Sequence, residues 1–262
     1  MHCNCELDAP ANNPDWMRDL PDLVKLTKLS IPGTHESMSF HGCNTHFCHY
    51  QSITLMGQLL SGIRVLDIHC RHINNGCAIH HGLKYLDANL DDVLTTVNIF
   101  LAAHPHEMIF MRMKGDDYNS EGNTCSWPGS LNSYKGKYSG IIWEGDIKTS
   151  LARVPTLGNT RGKIVINDTT RGGWGSQFDV QNKYNLSSNW DLYEKWVSVK
   201  SQITNSNNTV VAPWFVASGH AFPSTSSNWL STRLVDGITA YSDTFPDFPW
   251  TGCFLGGLYN FI

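Results

Sequence analysis

Gly62-Ile-Arg-Val-Leu-Asp67-Ile-His69-Cys-Arg71 is the stretch on which the fold turns. Its apolar run predicts a strand over Ile63–Ile68, and continuous apolar character is expected of a parallel strand covered on both faces. Asp67 and His69 are two apart, so on a strand both side chains point to one face. Working outward, similar short runs predict strands over Leu29–Pro32, Ala78–His80, Met108–Met113, Ile164–Asn167, Val210–Val216 and Cys253–Leu258. Between them Leu86–Ala103 reads as a helix, with Leu90, Val93, Leu94, Val97 and Leu101 at helical spacing. Ser52–Ser61 and Asn189–Ser201 are further helix candidates, and residues 115–150 and 168–190 read as long loops. Strands alternating with amphipathic stretches give an α/β fold, and 262 residues suit one barrel of strands and helices. A single domain over 1–262, with 1–26 as an N-terminal arm, is the expectation.

The composition is that of an ordinary globular protein, 41% hydrophobic with a net charge of −4, which argues against a general nucleic-acid binder. No run approaches the roughly 18 apolar residues that span a bilayer. The first residues, with Asp8, Asp15 and Pro10, Pro14 and Pro21, do not read as a signal peptide, which a mature secreted chain would have lost. Eight cysteines are too few for a disulfide scaffold. Disulfides tying Cys3 and Cys5 to Cys43 and Cys48 are favoured over a metal knuckle, since C-x-C is not the usual zinc spacing. Sequons at Asn167, Asn185 and Asn207 lean slightly toward secretion. Trp127, Trp174, Trp190 and Trp229 fall in or beside loop-like segments, where they either contact a membrane interface or pack under the loops.

Four segments place polar groups in or at the end of an apolar strand: Ser30–Ser37, Gly62–Arg71, Ile79–Gly82 and Met111–Lys114. In a barrel, strand C-terminal ends converge on one mouth, where catalytic groups gather. S-I-P-G-T-H-E-S (30–37), G-I-R-V-L-D-I-H-C-R (62–71) and H-H-G (80–82) together resemble the X region of the phosphatidylinositol-specific phospholipases C, the bacterial and fungal secreted type above all. H-P-H-E-M-I-F-M-R-M-K (104–114), R-G-K-I-V (161–165) and V-Q-N-K-Y (180–184) continue the resemblance in order. It implies a distorted TIM-type (β/α) barrel that cleaves a phospholipid to an inositol cyclic phosphate. It further implies His35 as general base and His81 as general acid, with Glu36 and Asp67 tuning them. Lys114, Tyr184, Asn182 and Arg71 would bind substrate, and His80, one residue out of phase with His81, reads as structural. The calcium-dependent relatives carry a carboxylate near the place of Lys114, and an ammonium repels calcium. No cofactor is therefore favoured.

The pattern breaks in three places. Metal-free relatives carry an arginine where this chain has His69; Arg64 and Arg71 lie near in sequence, the latter useful only if the strand runs that far. An aspartate expected in the last strand is replaced by Gly257 or Asn260, and Asn182 stands where an aspartate often contacts inositol. Two alternatives to the metal-free enzyme stay open: a divalent metal held by Glu36, Asp67 and His69 with His35 or His81, or a non-catalytic barrel that binds a headgroup. Peripheral contact with a phospholipid surface and secretion follow from the resemblance; the oligomeric state does not.

Overall fold

The structure is a computed structural model and describes residues 12–29, 31–40, 51, 53–115, 120–145, 154–170, 172–175, 193–194, 197–198 and 201. Among the described residues six strands form one sheet: β1 (Gly33–Thr34), β2 (Val65–Ile73), β3 (Gly76–His81), β4 (Lys84–Asn89), β5 (Ile109–Gly115) and β6 (Ile164–Asp168). The order is β4-β3-β2-β5-β6, with β1 pairing β2 at its start. Helices α1 (Leu55–Ser61), α2 (Leu90–Ala103), α3 (Trp127–Lys137) and α4 (Leu157–Thr160) lie between strands. The expected strands at 210–216 and 253–258, with Gly257, Asn260, Asn182 and Tyr184, lie outside the described residues.

Strand alternation sorts the sheet into two faces. Leu66 and Ile68 of β2, Ile109, Met111 and Met113 of β5, and Ile164 and Ile166 of β6 pack outward against Leu59 of α1 and Leu90, Val93, Leu94, Val97 and Leu101 of α2. The inner face is layered by register. Val65, Phe110 and Val165 stand side by side across β2, β5 and β6, buried with Met17, Leu26, Ile31 and Leu157 in a second apolar cluster. One step toward the strand C-terminal ends the layer becomes Asp67, Arg112 and Asn167, and the next pairs His69 with Lys114. The inside is thus apolar at the bottom and polar at the mouth. Arg71 lies on the same face as Asp67 and His69, because β2 does continue to Ile73.

Several sequence expectations are corrected. The first strand is not Leu29–Pro32 but Gly33–Thr34. Pro32 has no amide to donate, and its carbonyl instead accepts from Arg64 and Val65. The helix begins at Leu90 rather than Leu86, since Asn89 and Asp92 form a capping box there. Residues 84–89 belong to β4, with Leu86 and Ala88 buried at period two against the same apolar cluster as α2. Strands β2, β3 and β4 run antiparallel, not as a parallel βα unit; a two-residue turn at Asn74 and Asn75, both with positive φ, closes the first hairpin. The Cys70–Cys77 disulfide crosses it at a Cα separation of 5.5 Å. The disulfides expected among Cys3, Cys5, Cys43 and Cys48 fall outside the described residues. Within the expected 115–150 loop lies α3, capped by Ser126 and burying only Ser130, Leu131 and Tyr134. Trp127 is half-buried against the core and Trp174 is buried within it. Asn167 is fully buried in β6 and offers no glycosylation site.

Candidate active site

Thr34 to Ser39 is a buried turn leaving the end of β1. Gln58 of α1 holds it: Oε1 accepts from the Thr34 hydroxyl at 2.7 Å, and Nε2 donates to Ser37 O at 2.9 Å. Gln51 donates to His35 O at 2.6 Å. Ser37 and Asp67 are tied through backbone and hydroxyl, with Ser37 N to Asp67 O at 3.0 Å and Asp67 N to Ser37 Oγ at 2.9 Å. This fixes His35 beside Asp67. Glu36 sits at φ +44°, in the left-handed region that costs a residue with a side chain about 1–2 kcal/mol. That strain turns its carboxylate toward the histidines.

The five catalytic candidates read from the sequence come together. His35 Nδ1 donates to Asp67 Oδ2 at 2.5 Å. His69 Nε2 lies 3.2 Å from the same oxygen, and its Nδ1 lies 3.2 Å from Glu36 Oε1. Glu36 Oε1 is also 3.6 Å from His35 Nε2 and from His81 Nε2. His81 is the more accessible histidine, 22% exposed where His35 and His69 are buried. Lys114 and Arg71 are half-buried on neighbouring strands above this layer. His80 is buried against Tyr85, with ring centroids 5.5 Å apart, and stays out of the cluster.

Environment gives the histidines different charges. Burial lowers His35 below the usual histidine range, against the pull of Asp67, so at neutral pH it is an uncharged ring. With Nδ1–H given to Asp67, its lone pair is on Nε2. His69 is the opposite case: burial opposes its charge, but Asp67 and Glu36 at its two nitrogens overrule that and push it up to about 9. Asp67 resists desolvation because His69 and Arg112 attract its charge, and stays well below the usual carboxylate range. His69 is raised above its ordinary 6.5, so the stability it contributes is complete below pH 6.5 and lost as pH rises through 9. Unfolding free energy should fall by on the order of 3 kcal/mol across that window, a slope that His69→Gln removes in urea titrations at stepped pH. An equal slope in the variant would mean His69 is not the group held charged.

Over residues 29–170, more than half the chain, the sequence matches the family "Phosphatidylinositol-specific phospholipase C, X domain". The chain belongs to this family. It is 31% identical over 212 residues to the 1-phosphatidylinositol phosphodiesterase of Listeria monocytogenes, covering 74% of this chain and 65% of that one. It is 30% identical over 254 residues to the enzyme of the same name from Staphylococcus aureus strain Newman, covering 83% of this chain and 80% of that one. The solved phosphatidylinositol-specific phospholipase C of Listeria monocytogenes superposes with a TM-score of 0.71 at 27% identity, over 86% of this chain and 85% of that one. The fold is therefore the α/β, TIM-barrel type of these phospholipases.

The sequence reading of this phospholipase C domain missed Arg112. It is buried on β5, and its Nη1 donates to Asp67 Oδ1 at 3.2 Å. Met111-Arg-Met-Lys114 puts Arg112 on one face with Lys114, but only the register of β5 against β2, Asp67 beside Arg112, shows that this face points into the site. Arg64, by contrast, is three residues from Asp67 and sits among Glu107, Leu59 and Phe100, away from the cluster. As for metal, one ligand atom each from His35, Asp67 and His69 falls within 4.8 Å, a set without the Glu36 that the sequence suggested. The set is compact enough to take an ion, but as arranged its ligand atoms are already engaged. Asp67 Oδ2 already faces both histidines, both nitrogens of His69 face carboxylates and carry protons, and the Arg112 guanidinium lies against Asp67 Oδ1.

Proposed function

We propose that this chain cleaves phosphatidylinositol without a metal, through attack of the inositol 2-hydroxyl on the neighbouring phosphorus. The observation that carries this is the buried His35, bound through Nδ1 to Asp67 and sharing Glu36 with the more exposed His81. In this reading His35 Nε2 takes the hydroxyl proton as the oxygen–phosphorus bond forms. Glu36 Oε1, 3.6 Å from that nitrogen, stabilises the resulting imidazolium. The bond from phosphorus to the diacylglycerol oxygen breaks, and His81 gives that oxygen a proton, leaving inositol cyclic 1,2-phosphate. Protonated His69 occupies the place of the family arginine and answers the charge on the phosphoryl oxygens. Lys114 and Arg71, with Tyr184 and Asn182 from outside the described residues, are assigned to the inositol ring. The names of the Listeria and Staphylococcus relatives support the substrate class.

A single barrel domain secreted to an oxidising compartment accords with the Cys70–Cys77 disulfide. Peripheral contact with the bilayer accords with Leu83, 69% exposed in the turn that follows His81. Among the described residues no helix is long and apolar enough to cross a membrane.

The test is hydrolysis of phosphatidylinositol micelles with and without EDTA, the product followed by phosphorus NMR, beside His81→Ala. Cyclic phosphate formed at equal rates with and without chelator, and lost by about 10²–10⁴-fold in the variant, is the expected result. Loss to EDTA would move the reading to a metal held by Asp67 and His69. Inositol phosphate binding without turnover in any buffer would make the barrel a binding module.

A further inference from the structure

Arg112 is the one charged residue of the polar layer that neither motif nor resemblance assigns. It is 3% exposed, flanked across the sheet by Asp67 on β2 and Asn167 on β6. Its Nη1 donates to Asp67 Oδ1, while its Nε is buried without a hydrogen bond. A buried unsatisfied donor costs about 1–3 kcal/mol. Apolar residues of similar volume in place of a buried ion pair are often neutral or stabilising, so packing alone does not account for an arginine here. The geometry supplies another account. Asp67 Oδ2 is shared by His35 and His69, which leaves Oδ1 as the only handle by which the carboxylate can be fixed from the far side. Arg112 grips it, so the carboxylate cannot rotate and remains charged between the two rings.

We propose that Arg112 is a positioning residue of this active site, supplying from β5 part of the fixed positive charge that the family's metal-free pattern carries on β2 at the place of His69. It acts on the chemistry through Asp67, which it orients toward His35. The groups facing Asp67 are His35 and the Glu36 amide from the turn after β1, His69 from its own strand, and Arg112 from β5. Arg112 alone among these side chains is a planar guanidinium, with its donors in a fixed fork. The inference rests on the catalytic reading above but has a readout that needs no turnover.

The experiment compares Arg112→Gln, Arg112→Lys and the double variant Arg112→Gln with His69→Arg, each checked for a cooperative melt. Arg112→Gln is expected to lose about 10²-fold in kcat with KM nearly unchanged, Arg112→Lys less. The double variant, which returns an arginine to β2, is expected to recover at least about tenfold of that loss. Carbon NMR of the Asp67 carboxyl reads the same effect without substrate: its titration should move up by about one pH unit in Arg112→Gln. An unmoved Asp67 titration, or kcat within about threefold of the parent, would overturn the proposal. A parent protein that turns over no phosphatidylinositol, yet whose Asp67 titration moves in Arg112→Gln, would sink the substrate reading and leave the role of Arg112 standing.

Discussion

His35→Ala lowers kcat on phosphatidylinositol by roughly 10⁴-fold, near the upper end for a lost acid–base group, with KM changed little. The size follows from what His35 is in this fold. It is the ring whose burial favours the uncharged form, so at pH 7 it is ready to accept a proton. Its Nδ1–H is held by Asp67, so the accepting lone pair is confined to Nε2. Among the described residues neither neighbouring histidine replaces it in the proposed mechanism: His69 is doubly engaged and protonated, and His81 serves there as the acid. Because His35 is lowered below its ordinary 6.5, the acid limb of kcat/KM should lie below that pH, with activity falling as pH drops through it. Asp67→Asn provides the companion measurement. An amide that donates to Nδ1 moves the ring proton to Nε2 and turns the lone pair away from substrate, so a loss of about 10²-fold or more is expected without loss of fold. Turnover within tenfold of the parent in His35→Ala would place the base elsewhere.

Much of this site was legible because chemistry and periodicity coincide in the same short runs. Asp67 and His69 stand on one face of an apolar strand, and the turn carrying His35 and Glu36 follows β1 directly. Arg112 was not legible. An arginine between two methionines reads equally as an interior or an exterior residue, and only the register Asp67 to Arg112 decides. The strand β4 was lost because Leu86 and Ala88 run on into Leu90 and Val93, and two periods overlap to look like one helix. Asp87 at φ +54° breaks that helix, an event the apolar pattern does not record. Helix α3 was missed for the opposite reason: Ser130, Leu131 and Tyr134 are too few buried positions to make a stripe. The charge on His69 could not be read from its neighbours in sequence alone, since Glu36 reaches it from another element.

The same strand that carries Asp67 to the mouth is anchored at the bottom by an ion pair, and Arg64→Met should cost about 3–5 kcal/mol of stability. Arg64 Nε donates to Glu107 Oε2 at 2.8 Å with both side chains fully buried. Nη1 serves Leu59 O and Ile63 O, Nη2 reaches Pro14 O at 2.6 Å, and the guanidinium lies 4.5 Å from the Phe100 ring centroid. Glu107 Oε1 in turn accepts from Met17 N at 2.9 Å. Burial pushes the Glu107 carboxyl up and the Arg64 guanidinium down, so the pair is no free source of stability. Its removal by halves is what costs, because Arg64→Met leaves a buried carboxylate and three carbonyls without their donor. The melting temperature should drop by on the order of 10 °C. Adding Glu107→Leu removes the orphaned charge and should return part of the loss, though not all, since Met17 N then lacks its acceptor. Below the melting transition kcat should stay within about threefold of the parent, because Arg64 does not touch the cluster around Asp67. A stable Arg64→Met, or one that folds but has lost turnover, would show that the strand's apolar bottom and polar mouth are not independent.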